Sequence, residues 1–101
     1  MIENTYGVRK IIMQLRARCF CPLGEDWYTS DCSIEFVPDR LIPDYVEVGK
    51  WLEENVDGKK MIAEEVADSI HNFFTERYKP KDCLVSCSVS DAKHCPITII
   101  R

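Results

Sequence analysis

Lys10-Ile11-Ile12-Met13-Gln14-Leu15-Arg16-Ala17-Arg18-Cys19-Phe20 alternates between two kinds of side chain. Ile11, Met13, Leu15, Ala17 and Cys19 point one way; Lys10, Ile12, Gln14, Arg16 and Arg18 point the other. A period of two sustained this long predicts a half-buried strand. Its second face is a basic stripe, which reads as a solvated face or a subunit contact, with an anion site as the alternative.

The run leads into Cys19-Phe20-Cys21-Pro22-Leu23-Gly24-Glu25-Asp26-Trp27. Residues 31–37 then alternate again, with Cys32, Ile34 and Phe36 on one face and Ser33 and Glu35 opposite. The two runs predict an antiparallel hairpin with the 19–27 segment as its connector. That connector is longer than a tight turn, and long ordered connectors often carry function. It holds two thiols, two carboxylates and an indole, where a turn needs only turn residues. By alternation Cys19 belongs to the inward set. Cys21 precedes Pro22, which lacks an N–H and breaks the ladder, so its thiol is free to turn toward the loop.

Pro38-Asp39 and Pro43-Asp44 stop the sheet. Asp44 with Glu47 resembles a capping box and starts a helix whose apolar face is Tyr45, Val48, Trp51 and Leu52. Asp57-Gly58 ends it. A second helix is expected from about Lys60 to Tyr78, with the stripe Ile62, Val66, Ile70, Phe73 and Phe74, and Pro80 closes it. Cys83, Val85, Cys87 and Val89 mark a third strand over residues 83–89, and Pro96 to Ile100 a last one. Strand, strand, helix, helix, strand, strand predicts an α+β fold. One domain, residues 1–101, places two helices on one face of an antiparallel four-stranded sheet.

Composition narrows the function. Hydrophobic residues make up 46% and charged ones 30%, as in folded proteins. The net charge of −4 argues against a nucleic-acid backbone as partner. No apolar run approaches the roughly 18 residues of a membrane span. Met1 to Gly7 lacks a basic segment followed by an apolar core, so a cytoplasmic protein is expected. Its 6 cysteines are then expected as reduced thiols, most of them packed as small apolar residues. Three disulfides are the alternative for a secreted chain. The spacings C-x-C and C-x3-C are not the paired C-x2-C of zinc sites, and no metal is expected. His71, mid-helix, reads as a packed or surface residue, and His94 as a loop candidate for a base.

Glu64 and Glu65 open the second helix, where acidic residues suit the dipole. A carboxylate there also accepts two parallel N–H bonds, which matches the edge of a guanine-like base. With these residues in view, the chain resembles the nitrile reductases of queuosine synthesis, the QueF family of tunnelling-fold proteins. Cys21-Pro22 followed by Phe36-Val37-Pro38-Asp39 is similar to the family's Cys-Pro and aromatic-apolar-Pro-Asp segments. Glu64-Glu65 is similar to its His-Glu-Asp segment, and Lys50 to the last lysine of its cofactor motif.

The resemblance implies a homo-oligomeric barrel with active sites between subunits. It also implies 7-cyano-7-deazaguanine as substrate. Cys21 would add to the nitrile to give a thioimide, and Glu64 from a neighbouring subunit would bind the base. NADPH would then reduce the adduct, with Lys50 at the cofactor. The family's catalytic Asp falls on Tyr28, so Asp26 is expected to substitute as proton donor, with Glu25 as the alternative. The His falls on Ala63, the first cofactor lysine on Glu47, and the Arg-Gly-Gly segment on Lys93-His94-Cys95-Pro96. These departures resemble the shorter QueF-like amidinotransferases, in which ammonia replaces hydride and the base is already part of transfer RNA. A non-catalytic oligomer that kept the fold is the remaining alternative.

Overall fold

The computed structural model describes residues 2–93 and 95–101. The elements run β1 (Ile2–Glu3), β2 (Ile11–Cys21), β3 (Asp26–Val37), β4 (Leu41–Ile42), α1 (Tyr45–Asn55), α2 (Ala63–Tyr78), β5 (Asp82–Val89) and β6 (Ile97–Ile100). β2, β3, β5 and β6 form an antiparallel sheet in the order β2-β3-β5-β6. Both helices pack on one face of it, so the α+β architecture expected above is what the chain adopts. The short β1–β4 pair, Ile2 opposite Ile42, is an addition not foreseen.

The alternation of β2 sets the core. Met13, Ala17 and Cys19 are buried on the helix side, as are Cys32, Ile34 and Phe36 of β3 and Cys83, Val85, Cys87 and Val89 of β5. Val48 and Leu52 of α1, and Val66, Ile70, Phe74 and Tyr78 of α2, close over them. Phe36 packs on Phe74 and Tyr78, with ring centroids 6.0 and 6.2 Å apart. Asp44 is the N-cap of α1, its Oδ1 accepting from the amides of Val46 (3.0 Å) and Glu47 (3.3 Å). Glu47 does not complete the box. Its carboxylate accepts from Arg77 at 2.8 and 2.9 Å and from the Tyr78 hydroxyl at 2.7 Å, tying the start of α1 to the end of α2. Tyr45, expected on the apolar face, is exposed. Trp51 is half-buried and stacks on Phe73 with centroids 4.2 Å apart.

Three differences from expectation, at the start of β3, at the start of α2 and in the cysteines, have physical causes. β3 starts at Asp26, opposite Cys21, so the connector shrinks to residues 22–25. Trp27, Tyr28 and Thr29 are strand-forming residues and complete the ladder with β2. In the remaining turn Glu25 takes a left-handed φ of 54° and donates its amide to the Cys21 carbonyl at 2.9 Å.

α2 starts at Ala63 rather than near Lys60, because the preceding residues run extended along β2. There the Gly58 amide donates to Arg18 O (2.7 Å), Phe20 N to Lys59 O (2.9 Å) and Met61 N to Phe20 O (3.0 Å). Gly58 makes the bend at φ 76°, where a side chain would be strained.

The basic stripe is neutralised across the hairpin: Arg16 pairs with Asp31 (2.6 Å) and Lys10 with Glu35 (3.4 Å). It is a face of mixed charge, not an anion site.

The cysteines are not all reduced. Cys32 and Cys87 lie directly opposite on β3 and β5, Cα atoms 4.1 Å apart, and form a disulfide. Facing residues approach closest at positions that exchange no ladder bonds, and this is such a position.

Candidate functional site

The end of the sheet where β2 meets β3 carries the site. Three local causes build it. First, the hairpin places Cys21 and Asp26 opposite one another, hence on one face of the sheet, and that face looks toward the helices. Second, residues 57–61 pair with the end of β2, which brings the first turn of α2 beside Cys21. Third, Asp91 accepts the Thr29 amide at 2.9 Å and pairs with Arg18 at 3.7 Å, folding the loop after β5 across the same end. That amide faces β5, which has already ended, so the Asp91 carboxylate supplies the missing acceptor. The Thr29 amide in turn holds the Asp91 carboxyl below its ordinary range.

These segments enclose a cavity of about 290 Å³. Leu23, Trp27, Ile62, Ala63, Val89, Ala92 and Ile97 give it largely apolar walls. Cys21, Asp26, Tyr28, Glu64, Lys93 and Cys95 supply its polar and titratable groups. A mostly apolar cleft with a few convergent polar groups is the usual form of a small-molecule site. Cys21 is half-buried, and the Gly24 amide donates to its sulfur at 3.5 Å. The thiol therefore meets the loop, as Pro22 suggested. Asp26 is exposed at the rim and its Oδ1 accepts the Trp27 amide at 2.8 Å. Glu64 is exposed in the first turn of α2, while Glu65 accepts the Ile62 amide at 3.2 Å and so caps the helix. The two glutamates thus divide, one lining the cavity and one holding the helix start.

Cys19 differs sharply from Cys21. It is buried, donates to the Val56 carbonyl at 3.2 Å, and burial pushes its thiol up. Cys83 is likewise in the core, pushed up to about 11 by burial. Neither reaches the cavity.

Cys21, Asp26 and Glu64 therefore share one cavity within a single chain, so Glu64 need not come from a neighbouring subunit. Lys50 is not with them. It lies on α1 in a separate shallow groove beside Asp44, Glu47, Glu54 and Trp51. His71 is mid-helix with a buried Nδ1 that has no partner, and it does not line the cavity. His94 lies outside the described residues. Among the described residues no group of three or more His, Cys, Asp and Glu is arranged to hold a metal ion. No described helix is long and apolar enough to cross a membrane.

Sequence reasoning passed over three lining residues: Tyr28, Lys93 and Cys95. Tyr28 was within reach, since alternation from Asp26 puts it on the same face. Lys93 and Cys95 arrive through the loop after β5, which has no periodic signal.

No family model and no curated protein matches the sequence. Solved structures do match. The apo form of the archaeosine synthase QueF-Like superposes with a TM-score of 0.84 at 15% identity, over 94% of this chain and 93% of that one. The FolB protein of Vibrio cholerae O1 biovar El Tor str. N16961 superposes with a TM-score of 0.67 at 16% identity, over 94% and 98%. At such identities the likeness establishes the fold: the chain is a tunnelling-fold unit.

Proposed function

We propose that the cavity takes a 7-cyano-7-deazaguanine base and that Cys21 captures its nitrile. The observation that carries this reading is the meeting of Cys21, Asp26 and Glu64 in one apolar cavity. The Glu64 carboxylate accepts two N–H groups of the base edge, orienting the nitrile carbon toward the Cys21 sulfur. The thiolate adds to that carbon, one C–N π bond becomes an N–H bond, and Asp26 relays the proton to the nitrogen. The product is a thioimide and nothing is expelled.

The second step is amination. Ammonia adds to the thioimide carbon, the C–S bond breaks, and Cys21 leaves as the thiol while an amidine remains. Two observations favour this over reduction. Lys50 stands among three carboxylates, away from the cavity, a poor setting for the phosphates of NADPH. The fold matches that of an archaeosine synthase over almost the whole chain. The residues around Lys50 do not fit NADPH. A base carried by transfer RNA then becomes the partner, and because the chain's net charge is −4 its phosphates would be met by a locally basic surface of the assembled oligomer. The free face and edges of the sheet suit a homo-oligomer, which sedimentation at micromolar concentration checks.

The test is intact mass after incubation with the nitrile base. The wild type should gain the full mass of the base, Cys19→Ala should gain it too, and Cys21→Ala should not. Ammonium should then discharge the adduct. An adduct on Cys21→Ala, or none on the wild type, overturns the mechanism. NADPH oxidation that depends on the nitrile restores the reductase reading in place of amination.

A further inference from the structure

The 57–61 segment runs parallel to the end of β2, and its hydrogen bonds follow a regular ladder. Phe20 N donates to Lys59 O at 2.9 Å and Met61 N donates to Phe20 O at 3.0 Å. In a parallel ladder each residue on one strand bridges two on the other. The next bond in this register would run from the amide of residue 22 to the carbonyl of Met61. Residue 22 is proline and has no N–H. The Met61 carbonyl is therefore orphaned at the point where the chain turns into α2. An unpaired carbonyl withdrawn from water is costly. The Tyr28 hydroxyl fills the vacancy, donating to Met61 O at 2.6 Å. Tyr28 is 6% exposed, and burial raises its hydroxyl well above the ordinary value, so it remains a donor at physiological pH.

We infer that Tyr28 is a positioning residue: its hydroxyl replaces the ladder bond that Pro22 cannot make and so sets the start of α2, with Glu64, against Cys21. Pro22 leaves the Met61 carbonyl without its ladder partner, and Tyr28 restores from β3 the tether thereby lost. Cys21-Pro22 and Tyr28 form one device. The link to Glu64 rests on the nitrile-binding reading above, whereas the tether itself does not.

The experiment uses the full chain and five variants: Tyr28→Phe, Pro22→Ala, the double variant of these two, Glu64→Gln, and Tyr28→Phe combined with Glu64→Gln. Hydrogen exchange reads the tether without any ligand. Tyr28→Phe keeps the ring and should lower protection of the Met61 and Ile62 amides roughly three- to tenfold, the worth of one hydrogen bond. Adding Pro22→Ala, which restores an N–H, should recover it. Unchanged protection in Tyr28→Phe, or no recovery in the double variant, overturns the tether.

Titration with the nitrile base reads the consequence. Tyr28→Phe should raise the dissociation constant by a similar factor and leave the rate of adduct formation at saturation unchanged. In the Glu64→Gln background the same substitution should have no further effect, because its action runs through Glu64. Additive effects overturn the positioning role. A wild type that takes no base refutes the nitrile reading, and the exchange arm still decides the tether.

Discussion

The two ends of the α2 helix treat their carboxylates in opposite ways. At its C-terminal end the Glu47 carboxylate receives three donors, two from Arg77 and one from the Tyr78 hydroxyl. Its hydrogen bonds hold it at about 2, well below the ordinary carboxylate value, with Arg77 as the larger cause and Tyr78 the next. At the N-terminal end Glu64 faces an apolar cavity beside Cys21 with no protein donor on its carboxylate among the described residues. A carboxylate whose acceptor sites are filled by its own chain holds elements together. One whose sites are empty beside a cavity is available to a ligand.

Three substitutions break or sharpen this contrast. The largest effect is expected from Glu64→Gln. It should weaken binding of the nitrile base by tenfold or more, the worth of a hydrogen bond to a charged acceptor, and leave the unfolding midpoint in place. Calorimetric titration and thermal melts read the two quantities. A loss of stability with unchanged binding would make Glu64 a second Glu47.

The next concerns acid. Glu47 has a folded value near 2 against an ordinary 4.5. A depressed value means stability that is present above pH 4.5 and lost as pH falls from there toward 2. Wild type should therefore show a steeper fall of melting temperature over that window than Glu47→Gln. Parallel curves would show that the Arg77 pair contributes nothing measurable, as exposed pairs often do.

The smallest effect is expected from Lys50→Ala. Exposed on α1 and away from the cavity, it should change stability by less than about 0.5 kcal/mol and leave base binding alone. Weakened binding would join the α1 groove to the site and end the separation of the two ends.

The elements that bury an unbroken apolar face are legible in the sequence. Ile11 to Cys19 and Cys83 to Val89 announce themselves because every second side chain is apolar. The N-terminal half of β3 did not. Its inward residues are Asp26, Tyr28 and Ser30, and Ser30 is fully buried although polar, so the period-two signal disappears where the strand is most regular. The start of α2 was misplaced for a different reason. The hydrogen bonds of residues 57–61 go to β2, a partner remote in sequence that no local pattern reveals. The same limit hid the Cys32–Cys87 pair, which depends on the register between β3 and β5. Cys21, Asp26 and Glu64 came from chemistry and resemblance, and they fall together. Lys50 came from resemblance alone and falls elsewhere. Tyr28 looked like a loss, a ring in place of an acid, until the geometry of its hydroxyl gave it a task.

The 57–61 segment has one more consequence. It occupies the outer edge of β2 at Arg18 and Phe20 and, among the described residues, leaves the edge of Ile11–Ala17 bare. Any strand laid along that edge must halt when it reaches Gly58. The bend acts as a doorstop. It limits an incoming strand to a berth on the order of 20 Å and fixes how far two copies can slide past one another.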